Sequence, residues 1–238
     1  MWFDHHSSQE QMVDVAGDFK GRYQVAPSAA RVIYEYYDSP ELKPYEDMLV
    51  EVDRVDSANL TVEDITNPEG WVLLSHTCDP RAGLSRFQDY FLLLTDLIIK
   101  KTPIEEILEH PEVKSRTSTM LDDQEKFAQS QREHSRLDGN VIVTDLRGKR
   151  DLPSGNRFLI FTLFPEGNVQ ARVFDGINDT TVVAVGLSIF NRTSKSNVGE
   201  LLAGYGGGGH RGAGTAQFAA DEAEEKVVEV IARLKAAG

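Results

Sequence analysis

The chain has 238 residues, a formal net charge of −13, 40% hydrophobic and 26% charged residues, and a single cysteine, Cys78. These values fit one large or two modest globular domains and argue against disorder and a disulfide framework, while the acidity argues against avid nonspecific binding of long duplex DNA. No apolar run approaches the ~20 residues that span a bilayer, and no signal-peptide pattern opens the chain, so a soluble, cytoplasmic protein with no membrane partner is expected.

Trp2-Phe3 before Asp4-His5-His6 reads as a buried strand that delivers polar residues at its C-terminal tip, the edge where open α/β sheets bind ligands. A carboxylate and two imidazoles in succession suit a divalent metal, one histidine binding it and the other facing substrate. A solvated terminus is the competing reading. Residues 10–25 are polar and irregular. Pro27 to Tyr37 is predicted as a helix with Pro27 at its first position. A second helix, Tyr45 to Val52, leads into Asp53 and Asp56, which read either as metal carboxylates or as turn caps. In VLLSHTCDPRAG, His76, Cys78 and Asp79 precede an Asp-Pro turn signal and read as structural. Leu84 to Lys101 is predicted as a long apolar helix. Thr102-Pro103-Ile104-Glu105-Glu106 resembles a capped helix start, and residues 112–137 an exposed helix. His110 and His134 lie in polar helical contexts and read as solvated.

The pattern then changes. Asn140 to Thr144, Phe158 to Phe164, Val169 to Phe174 and Thr181 to Phe190 read as strands separated by turn residues. Asn191-Arg192-Thr193-Ser194-Lys195 lies between a strand and a helix over Asn197 to Tyr205, which suits either an anion site or a polar loop. Gly206-Gly207-Gly208-Gly209-His210-Arg211 follows. Consecutive glycines let backbone N–H groups approach an anion, and His210 and Arg211 add donors for phosphate oxygens. The alternative is a flexible linker, which rarely contains a His-Arg pair. Asp221 to Ala237 is an amphipathic terminal helix. The fold class is α/β, with an N-terminal region over 1–111, a connecting helix over 112–139 and a C-terminal α/β domain over 140–238.

Asp4-His5-His6 together with YGGGGHRGAGT resembles the DHH phosphoesterase superfamily and the glycine motif of its DHH-associated C-terminal domain. VDRVDSA is similar to the later aspartate motif, and SIFNRTSKSNVGELL to the arginine-serine segment. VDRVDSANLT and WVLLSHTCDPRAGL resemble the exopolyphosphatase-related subgroup. The resemblance implies an incomplete N-terminal parallel-sheet DHH domain, largely helical in this chain, and a smaller substrate-binding domain. It implies metal-dependent hydrolysis of a phosphodiester, nucleotide or polyphosphate. Asp4, His5 and Asp56 would be metal ligands, with Asp53 the second choice, and His6 would face the scissile phosphate. Arg192, Ser194, Gly206, Gly207, Gly208, Gly209, His210 and Arg211 would hold substrate.

The cofactor implied is a divalent metal, above all Mn²⁺. The family's earlier Asp-x-Asp segment and the aspartate one strand later are not in this sequence, which predicts weak metal binding or none. Two readings follow: a phosphoesterase that begins at a downstream start or is naturally reduced, or a noncatalytic nucleotide- or single-stranded nucleic-acid-binding protein. The expected partner is a phosphate-bearing small molecule or short single-stranded nucleic acid, and a homodimer stays open.

Overall fold

The computed structural model describes residues 1–5, 19–78, 88–153 and 155–238. It divides into two compact units, Met1–Met120 and Leu121–Gly238.

The first unit opens with β1 (Trp2–Asp4), which pairs in parallel with β2 (Gly21–Tyr23). Trp2 meets Phe19 edge-on at 4.8 Å and Phe3 meets Tyr36 at 5.0 Å, so the aromatic pair ahead of Asp4 anchors the strand. Gly21 has φ +143°, and a Cβ there would lie 1.7 Å from the Trp2 carbonyl oxygen, so only glycine permits this pairing. Helices follow: α1 (Ala29–Tyr37), a 3₁₀ turn (Pro40–Tyr45), α2 (Glu46–Asp56), α3 (Val62–Thr66), α4 (Gly70–His76), α5 (Gln88–Ile99) and α6 (Ile104–Glu109). Leu74, Tyr90, Leu94 and Ile107 of these helices form a buried cluster with Val113, which lies in the helix that follows.

Several expectations shift. The irregular stretch 10–25 contains β2. Ser28, not a proline, starts α1: its Oγ accepts from the Arg31 N–H at 3.0 Å, leaving Pro27 just outside. α2 runs on through Asp56, so Asp53 and Asp56 stand in its last turn, three residues apart and therefore neighbours on its surface. α6 begins after Pro103 with no side-chain cap. His76 ends a helix, and burial holds its pKa below the ordinary value against the pull of Asp64. Burial raises the pKa of the Cys78 thiol above its ordinary value. Asp79 and residues 84–87 of the predicted long helix lie outside the described residues.

Helix α7 (Pro111–His134) is followed by β3 (Ser135–Asp138) and β4 (Val141–Asp145). The helix stops three residues before the predicted 137 because Ser135 enters the sheet, its hydroxyl 2.9 Å from that of Thr144. The second unit continues with α8 (Ile160–Leu163), β5 (Val169–Asp175), β6 (Thr180–Leu187), α9 (Val198–Ala203), β7 (Gly208–His210), β8 (Ala213–Ala219) and α10 (Ala223–Ala236). The six strands form one mixed sheet in the order β3-β4-β5-β6-β8-β7. Only β4–β5 is parallel among its pairs.

Alternation along the strands sorts the two faces. Val141, Val143, Val169, Ala171, Val173, Val183, Val185, Ala216 and Phe218 share a buried core with residues of α9 and α10. Among the described residues of this unit, the opposite face carries α8. Phe158 to Phe164, expected as a strand, instead turns into α8, whose Ile160 and Phe161 pack on Ile142 beside Phe158, Phe164 and Phe190. A short continuous apolar run does not reveal its period, and this one serves as a lid on the sheet rather than as a member of it.

Candidate active site

In the first unit, β1 carries Asp4 to its tip and His5 follows. The Asp4 carboxylate accepts from the His5 backbone N–H at 2.7 Å. His5 Nδ1 lies 2.9 Å from the Ala26 carbonyl oxygen. A carbonyl only accepts, so Nδ1 carries the hydrogen and Nε2 presents its lone pair in the neutral ring. That Nε2 lies 3.3 Å from Asp56 Oδ2 at the end of α2. Two acceptors thus face one another.

The structure therefore brings His5 and Asp56 together from separate motifs of the chain, with the Asp4 carboxylate on the backbone N–H of His5. Asp53 is committed elsewhere: it accepts from Ser28 Oγ at 2.6 Å and from Arg31 Nε at 2.8 Å. These bonds tie α2 to α1 and so place Asp56 against His5. Ser28 and Ala26 are contributors that motif reading misses, although Ser28 is legible as a helix cap. His6 lies outside the described residues.

The donor chemistry fits a divalent ion as a pair: an imidazole nitrogen whose other nitrogen is bonded to a backbone carbonyl, and a carboxylate. No group of three or more potential ligands occurs among the described residues.

In the second unit, Arg192 and Ser194 stand in the connection from β6 to α9. The Ser188 hydroxyl accepts from the N–H groups of Phe190 and Asn191, and Arg192 Nε donates to the Ile189 carbonyl at 2.8 Å. A chain of amides supports this connection from below. Asn140 Nδ2 donates to Asn168 Oδ1 at 2.8 Å, Asn168 Nδ2 to Thr193 Oγ1 at 3.0 Å, and the Thr193 hydroxyl to Asn191 Oδ1 at 2.7 Å. Asn168 is only 3% exposed. Neither asparagine carries a motif signal, and only their positions at strand starts connect them to the loop.

The glycine run is a hairpin arm rather than a free loop. The N–H groups of Gly206 and Gly207 bond to the carbonyls of Ala203 and Leu202 and so finish α9. Gly208 to His210 form β7, paired with β8. The turn of the hairpin closes over the Arg192 segment from both ends: Leu187 N–H donates to the Gly212 carbonyl at 2.8 Å and Val198 N–H to the Arg211 carbonyl at 3.0 Å. A Cβ on Gly199 would meet the Gly209 carbonyl oxygen at 2.5 Å, so α9 presses directly on the hairpin. Arg192, His210 and Arg211 are exposed, and Ser194 is half-buried. The arginine-serine segment and the glycine run are thus joined by hydrogen bonds into one connected piece of structure.

Comparison with known proteins yields a likeness over nearly the whole of this chain. The chain is similar to a solved pGpG-specific phosphodiesterase, PggH, from Vibrio cholerae, with TM-score 0.82 and 32% identity over 99% of this chain and 79% of that one. A DHH domain from a member of the s1p family of ribosomal proteins matches at TM-score 0.38 and 20% identity, covering 51% of this chain and 32% of that chain. The C-Ala domain of Aquifex aeolicus alanyl-tRNA synthetase matches at TM-score 0.30 and 18% identity, over 42% and 97%. No family model and no curated protein sequence matches the chain.

Proposed function

The chain belongs to the DHH phosphoesterase superfamily, and from that premise we propose that it hydrolyses the phosphodiester of a short linear guanine dinucleotide of the pGpG kind. The observation that carries this reading is the likeness to the pGpG-specific phosphodiesterase across nearly the whole chain. The His5–Asp56 pairing supports it, since a motif histidine and a distant motif aspartate converge.

In this reading His5 and Asp56, with Asp4 beside them, hold a divalent ion, Mn²⁺ first among candidates. Such an ion, when bound, lowers the pKa of a coordinated water and neutralises charge on the phosphate. The chain's own residues do the rest. Ala26 holds His5 in the tautomer that leaves Nε2 as donor. Arg192, His210 and Arg211 neutralise substrate phosphate, and Ser194 adds a hydroxyl. The resemblance to the family gives His6 its role at the scissile group. Water adds to phosphorus, the bond to the 3′-oxygen breaks, and pGpG plus one water yields two molecules of GMP.

The test is a panel of pGpG, cyclic dinucleotides, phosphoadenosine phosphate and polyphosphate, each with Mn²⁺ and with chelator. Metal-dependent release of GMP from pGpG, above the other substrates, is expected. Binding of pGpG with no turnover in any metal would overturn hydrolysis in favour of a nucleotide-binding protein.

A further inference from the structure

The last turn of α10 offers its carbonyl groups to the Arg192 connection. A helix leaves its final carbonyls without donors of its own, so their partners come from elsewhere. The carbonyl of Ala237, the residue after α10, accepts from the Lys195 N–H at 2.9 Å. Three residues earlier, the Leu234 carbonyl accepts from Asn140 Nδ2 at 3.4 Å. The Asn140 amide has two hydrogens, and Nδ2 also donates to Asn168 Oδ1 at 2.8 Å. Asn168 Nδ2 in turn donates to Thr193 Oγ1 at 3.0 Å.

These bonds close a circuit. Lys195 is reached directly from Ala237, and Thr193 from Leu234 by way of the two asparagines. Ser194 lies between Thr193 and Lys195, so both of its neighbours are tied to one helical turn. The turn itself is fixed at its base. Leu234 is fully buried, and with Val227, Val230 and Ile231 it packs in the core shared with α9 and the sheet. The Lys235 ammonium pairs with Asp138 at the end of β3, two residues before Asn140. Gly238 lies so near Asn140 that a Cβ on it would meet the amide nitrogen at 2.1 Å. The Asn140 backbone belongs to the same support, since its carbonyl accepts from the Asn168 N–H at 3.0 Å.

We propose that the last turn of α10 is a latch on the Arg192 connection, with Asn140 as its positioning residue. The inference rests on the phosphodiesterase reading for the identity of the ligand. The latch acts through Thr193 and Lys195. It holds the backbone on both sides of Ser194 in place before substrate arrives, so that ordering this segment is not charged against binding. Releasing it therefore costs affinity, while the chemical step, which belongs to the metal-binding residues of the first unit, keeps its rate.

Two variants of the full chain test the latch, Asn140→Ala and deletion of Ala237 and Gly238. Neither removes a residue of the buried core. Each is expected to lower the melting temperature by no more than about 4 °C. Each should raise KM for pGpG about tenfold and leave kcat within about twofold of wild type. The dissociation constant of pGpG in the presence of chelator, measured by calorimetry, should rise about tenfold as well. Trypsin reads the latch with no ligand present: cutting after Arg192 and Lys195, located by fragment mass, should quicken about tenfold in both variants.

Wild-type KM and wild-type cutting in both variants would overturn the latch and leave the phosphodiesterase reading intact. A fall in kcat at unchanged KM would overturn it too, because the connection would then serve the chemical step rather than binding. If the wild-type chain neither binds nor cleaves pGpG, yet both variants quicken cutting after Arg192 and Lys195, the phosphodiesterase reading fails and the latch on the connection stands.

Discussion

Two aspartates three residues apart are equivalent by type and spacing, and their contacts separate them. Asp56 faces His5 Nε2, whereas Asp53 is consumed by Ser28 and Arg31. The substitutions should therefore diverge. His5→Ala and Asp56→Asn are expected to lower turnover of pGpG by about 100-fold or more and to weaken Mn²⁺ binding, with little change in melting temperature. Asp53→Ala is expected to lower stability by about 2 kcal/mol, since it strips charged hydrogen bonds from a half-buried arginine. Denaturation of each variant beside metal titration would distinguish the two outcomes. His76 makes a different kind of prediction. Its native pKa lies below the ordinary 6.5 through burial. The unfolded chain then takes up a proton that the native state resists, so stability held above pH 6.5 is lost as pH falls below it. His76→Gln should flatten the fall in melting temperature between about pH 7 and pH 5.

At the scale of elements, legibility follows how much of each element's cause is local. β4, β5 and β6 announce themselves by alternation, and α10 by its apolar stripe and charged ends. The Phe158–Phe164 run does not, because its role as a lid depends on which sheet face lacks a helix. β2 is hidden because its partner β1 lies far back in the chain and its key residue is Gly21. That position gives a sharp test: Gly21→Ala should break the β1–β2 pair, displace His5 and abolish metal binding, measured by the loss of Mn²⁺ affinity in a chain whose other helices persist by circular dichroism. The asparagine chain under the Arg192 connection is equally silent in the sequence. Asn168→Leu should raise KM for pGpG about tenfold while kcat changes little, because it leaves the Thr193 hydroxyl without its amide donor and lets the connection wander. A kcat loss with KM unchanged would place Asn168 outside substrate binding.

For the whole molecule, motifs at the two ends of the chain reveal the family, and they name candidate site residues near both ends. What is not legible is how each motif is held: the carbonyl that orients His5, the arginine that removes Asp53 from contention, the hairpin into which the glycine run folds. The net charge of −13 has its own consequence. An anionic substrate approaches an acidic protein against a long-range repulsion that salt screens. Raising ionic strength from about 0.01 M to about 0.15 M shortens the Debye length from about 30 Å to about 8 Å, so kcat/KM is expected to rise, the reverse of a basic nuclease. Steady-state rates across a salt series, at fixed free metal, would show the sign.

The two bonds that close the hairpin over the Arg192 connection, Leu187 N–H to Gly212 and Val198 N–H to Arg211, also supply a clock. Each amide proton trades with solvent deuterium only when its bond opens, so its lifetime reports how often the connection and the hairpin part. A nucleotide that bridges both segments would slow exchange at these two positions together, while one that rests on a single segment would leave them as they were. Two amides, read by isotope exchange, can thus time the breathing of the site with no chemistry taking place.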